Sequence, residues 1–61
     1  METRHTRDAW QASHHTIEVR YEDALIAANR AAVGTPAFLA AMAEVRAAHH
    51  ELLESNRSRP S

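Results

Sequence analysis

Gly34-Thr35-Pro36 limits the possible folds of this chain more than any other feature. Gly34 is the only glycine in 61 residues. From Asp8 to Val33 there is neither Gly nor Pro, and Ala, the strongest helix former, recurs throughout. A second breaker-free stretch follows Pro36. Gly34 suits a left-handed C′ position, Thr35 an N-cap and Pro36 the first helical residue. No useful length alternates with a period of two, so no strand is expected. The pattern predicts an all-α fold, an antiparallel two-helix hairpin, because so short a connection turns the second helix back along the first.

The expected bounds are a frayed N-terminus over 1–7 and a hairpin over 8–55. The hairpin divides into a helix over 8–33, a turn at 34–35 and a helix over 36–55. A flexible tail is expected over 56–61. Asp8 and Gln11 have capping-box spacing at the first start.

At 100° per residue, Trp10, His14, Ile17, Tyr21, Leu25, Ala28 and Ala32 share one stripe of the first helix. Phe38, Ala41, Met42, Val45, His49, Leu52 and Leu53 share one of the second. These stripes predict the hairpin core, with Trp10, Ile17, Tyr21, Leu25, Phe38, Met42, Val45, Leu52 and Leu53 as its large members. A turn centred on Gly34–Thr35 sets His14 opposite Ser55, Glu18 opposite Glu51 and His49 opposite Arg20–Tyr21.

Such a core is thin. Thirteen of the 27 apolar residues are Ala. A chain of this length hides only about 60% of its unfolded surface. Small scaffolds add disulfides, a metal or another chain, and with no cysteine the first is excluded. Ala12, Val19, Ile26 and Val33 recur every seven residues opposite the main stripe. They form the expected interface with another chain, with Asp23 and Arg30 beside them. Two hairpins would then make a two-fold, antiparallel four-helix bundle. In size and layout, though in no residue motif, this resembles the small plasmid-encoded Rop RNA-binding dimers.

Five histidines invite a search for chemistry. His14 and His49 fall on the apolar stripes, so both are expected to be less exposed than His15 and His50. His14–Glu18 and His50–Glu54 are i,i+4 pairs, which meet on a helix surface and have donors that suit zinc or iron. His14, Glu18, His49, His50 and Glu54 are therefore the candidate metal ligands of a His/Glu bundle. Against that, the Glu-x-x-His of di-iron bundles is absent, and His50-Glu51-Leu52-Leu53-Glu54 ends in Glu where zinc proteases have His. No metal and no cofactor is expected.

There is no Cys, no Lys, and no Ser near a His with a third orienting group, so no catalytic residue and no enzyme is expected. Seven Arg against eight acids leave a net charge of -1. Arg4, Arg7, Arg57 and Arg59 with His5 make only a modest basic tip, and the three aromatics belong to the core, so nucleic acid is not an expected partner. No apolar run suggests a leader or a membrane span, and the expected location is cytoplasmic. The reading is a small non-enzymatic helical interaction module that self-assembles or docks on a larger protein, such as a regulator, adaptor or small subunit in a bacterium or phage. A metal-binding bundle and a Rop-like nucleic-acid binder are the alternatives.

Overall fold

The computed structural model describes residues 4–60. It is an all-α antiparallel hairpin of two helices, α1 (Arg4–Arg30) and α2 (Pro36–Arg57), with no strand among the described residues. Trp10 reaches Ser55 at one end, and Thr35 reaches Ala32 at the other. The molecule extends 49 × 15 × 11 Å, a slab two helices wide and one thick.

The turn is built from directional bonds. The Thr35 backbone N–H donates to the Ala32 carbonyl at 3.1 Å, closing a four-residue turn. Gly34 occupies its third position at φ 88°, where a type II turn needs a left-handed residue. The Thr35 hydroxyl donates to the same carbonyl at 2.6 Å and accepts from the Phe38 N–H at 3.2 Å. Thr35 is thus the N-cap of α2 while holding the end of α1, and Pro36 follows it in the first turn.

Three expected boundaries are corrected. α1 ends at Arg30, not Val33, and the connection is 31–35, not 34–35. Ala31, Ala32 and Val33 could all continue a helix, but Gly34 takes φ 88° and Pro36 has no N–H to give the Ala32 carbonyl, which Thr35 takes instead. Gly34 is therefore a turn residue and not a helix cap. At the other end α1 already runs from Arg4, because an established helix propagates through any residues that are not breakers; positions 1–3 of the expected frayed start lie outside the described residues. α2 continues through Arg57 into the expected tail.

The seam is also rotated from its expected place. The buried and half-buried positions are Trp10, His14, Ile17, Tyr21, Ala24 and Ala28 on α1, with Ala31 just past its end. On α2 they include Phe38, Ala41, Val45, Ala48, Leu52 and Ser55. Both series step by alternating threes and fours, the 3.5-residue repeat of helices that stay in contact. A 3.6-residue phase drifts about 20° per heptad from that repeat, which put Leu25, Ala32, His49 and Leu53 where Ala24, Ala31, Ala48 and Ser55 belong. Leu25, at 38% exposure, and Leu53, at 50%, are therefore not core. Among the described residues the fully buried ones are Ala24, Ala28, Ala41, Ala48 and Val45. Helices meeting through such small side chains approach closely.

Gly34→Val should lower stability by more than about 1 kcal/mol, through its backbone alone. A Cβ at that position meets nothing within 4 Å, so sterics add nothing. Thr35→Ala should cost about 1 kcal/mol through the lost cap. Urea midpoints unchanged in both variants would show that the turn does not hold the hairpin.

Candidate functional site

Polar side chains concentrate toward the open end of the hairpin, where the α1 N-terminal half meets the last turns of α2. The Trp10 indole N–H donates to the Ser55 carbonyl at 2.9 Å. His14 Nδ1 and the Ser55 hydroxyl share a 2.7 Å hydrogen bond whose direction follows the imidazole tautomer. The two rings stack with centroids 4.6 Å apart and 16° between planes. Trp10, His14 and Ser55 all lie on the seam repeat, so the helices bring them together by the same geometry that buries Ala48.

Glu18 Oε2 lies 3.7 Å from His14 Nε2, and Glu18 Oε1 lies 3.9 Å from His15 Nδ1. The first histidine doublet divides as expected, the His14 side chain being 15% exposed and His15 76%. In the second, His49 and His50 are both exposed, because α2 turns Ala48 into the seam. His49 lies at the seam's edge, its ring 6.0 Å from that of Tyr21.

Ser55, His14 and Glu18 form a hydroxyl–imidazole–carboxylate line, built on the His14–Ser55 pair that counting across the turn sets opposite each other. The expectation that no Ser meets a His with a third group is corrected. The line still lacks what acyl transfer requires. Glu18 is beyond hydrogen-bond length from His14. Ser55 sits in the last turn of α2, where a helix offers carbonyl oxygens and the negative end of its dipole. An oxyanion needs N–H donors there.

The five candidate metal ligands are not gathered. His14 and Glu18 meet on α1, whereas His50 and Glu54 line a shallow groove with Trp10, Ser13, Ile17 and Glu51. Among the described residues no three of His, Asp and Glu stand where they could hold a metal ion.

Arg59 lies over the Trp10 ring at 5.7 Å, a cation–π contact, and Arg57 reaches Glu54 at 3.5 Å. Two arginines of the expected basic tip thus have partners within the chain. The side chains of Arg4 and His5 lie outside the described residues.

One flank of the seam is crossed by ion pairs. Arg20 donates to Glu44 and to Glu51, both at 3.0 Å. The hydrogen bond to Glu44, then the charge of Glu51, raise the guanidinium above its already high ordinary range. The signal was legible: Glu44 and Glu51 are seven apart, on one face of α2, on either side of the level of Arg20. A shallow Ala-lined groove continues this flank toward the turn, past Ala27 and Ala37. The opposite flank carries Glu18 and Leu25 from α1 and Met42, His49 and Asn56 from α2, by the same repeat. Leu39 and Leu53 border it, both exposed.

Of the expected interface, Ala12, Val19 and Ile26 lie on the outer face of α1 and are exposed. Val33 lies beyond the end of α1 in the turn, 84% exposed, so the strip does not continue through it as a helical face. Among the described residues no helix is long and apolar enough to cross a membrane.

Ser55→Ala should cost about 1 kcal/mol, for one lost side-chain hydrogen bond. Trp10 should keep its bond, which goes to the backbone oxygen. Urea unfolding followed by Trp10 fluorescence measures this; an unshifted midpoint would mean that His14 and Ser55 are not bonded in solution.

Comparison with protein-family models, with curated proteins and with solved structures finds no match.

Proposed function

We propose that this chain works by association, as a small non-enzymatic helical module that completes its core against another protein surface. One observation carries the reading. Among the described residues no side chain larger than Val45 is fully buried, while Val19, Leu25, Ile26, Val33, Leu39 and Leu53 are all exposed. Single exposed apolar residues are ordinary. Six large ones, beside a seam whose own large residues Trp10, Ile17, Tyr21, Phe38 and Leu52 are only half-buried, are a shortage of covering surface.

Burying a side chain of this kind contributes about 1.5–3 kcal/mol before association costs. The helix-end carbonyls around Ser55 and the scattered His and Glu argue for binding over catalysis and over metal chemistry. Roles such as regulator, adaptor or small subunit need only such a face.

A folded state completed by association has a stability that depends on concentration. The thermal midpoint, followed by circular dichroism across a hundredfold range of protein concentration, should rise with concentration. If a larger protein supplies the cover, the isolated chain should instead melt low and broadly. A stable monomer with a sharp, concentration-independent transition would overturn the reading.

A further inference from the structure

We infer that the occupant is a second copy of this chain, seated on the flank that carries Leu25 and Met42, with a two-fold axis parallel to the helices. The inference rests on the association reading above and names its partner and surface.

The choice of flank comes from what each one holds. On one side of the seam Arg20 spans Glu44 and Glu51, and those charges already have their partners. On the other, Leu25 and Met42 border the seam, so covering them extends the existing core instead of starting a separate one. The outer strip of Ala12, Val19 and Ile26 is cut off from the seam by polar neighbours such as Thr16, Glu22 and Asp23.

The choice of partner comes from charge and level. The hairpin sets Trp10 and His14 level with Ser55, Tyr21 level with His49, and Arg20 between Glu44 and Glu51. Rotation about an axis parallel to the helices leaves every residue at its own level. Helix α1 therefore meets the partner's α2 in the register that the hairpin already has. At that register Leu25 meets the partner's Met42, and Glu22 meets the partner's Arg46. Glu18 comes level with the partner's His49. Among the described residues neither Glu22 nor Arg46 forms an ion pair within its own chain. On the 3.5-residue repeat both lie just outside the Leu25–Met42 row, where the rim of such an interface falls. Opposite charges thus fall opposite each other in a register they had no part in setting. The two-fold operation makes each contact twice, as an isologous dimer requires.

The test is sedimentation equilibrium on the intact chain and five variants. The parent should run at twice the 6.8 kDa chain mass. Glu22→Arg and Arg46→Glu each place like charges together twice per dimer and should each weaken it about tenfold. The double variant Glu22→Arg/Arg46→Glu should restore the parent constant, a recovery that general surface-charge effects would not produce. Both positions are exposed, so the single variants should keep the hairpin folded, with parental helicity. Leu25→Glu should abolish the dimer, and Ile26→Glu on the outer strip should leave it intact. A dimer lost in Ile26→Glu, or a double variant no better than the singles, overturns this flank and leaves association standing. A parent chain that is monomeric at every concentration overturns the second copy as occupant. The concentration-dependent melting above then decides the association reading separately.

Discussion

Two helices laid side by side have no inside. Each can cover only one stripe of the other, and in a slab one helix thick every other face meets solvent. That constraint governs the rest of the molecule. It explains why burial stops at Ala24, Ala28, Ala41, Val45 and Ala48, and why residues of core character such as Leu25 and Leu53 stand exposed. A long helix pair stitched by methyl groups gains contact by close approach, but it removes little apolar area from water. The shortage is in covering surface, since apolar side chains are present to be covered.

An Ala-rich seam also specifies register weakly, because one methyl group resembles the next. Directional bonds supply what packing does not. Thr35 joins the two helix ends at the turn, Arg20 reaches Glu44 and Glu51 midway, and Trp10 and His14 hold Ser55 near the open end. Hydrogen bonds of this kind contribute only about 1 kcal/mol each net. Their larger effect is that a slip of one turn would pull Trp10 and His14 off Ser55 together. The polar open end, with its serine, histidine and carboxylate in line, is best understood as a latch of this kind.

The same register then fixes what the exposed face offers. The levels of Leu25, Met42, Glu22 and Arg46 are not independent choices once the hairpin is latched. A partner meets them as a preset pattern, apolar beside the seam and charged at the rim. Preorganisation of that sort lowers the ordering cost of association, because both helices are already aligned before contact.

How much of this was legible follows from the range of each interaction. The two helices, the reversal at Gly34-Thr35-Pro36 and the pairing of His14 with Ser55 can all be read from the chain. Helix propensity, capping and turn chemistry act within a few residues, and a hairpin joined by a short turn has its cross-chain levels set by counting. The exact seam could not be read in this way. A free helix repeats every 3.6 residues and a packed pair every 3.5, so the choice of Ala24 over Leu25 and Ala48 over His49 is made only when the second helix arrives. The end of α1 at Arg30 was likewise decided by the turn closed between Ala32 and Thr35 around Gly34, against the propensity of Ala31, Ala32 and Val33 to continue. Composition alone determined that this chain would be helical and short of core; only the packed pair decided which side chains fill that core and which are left for another surface, because burial belongs to two helices together and to neither one alone.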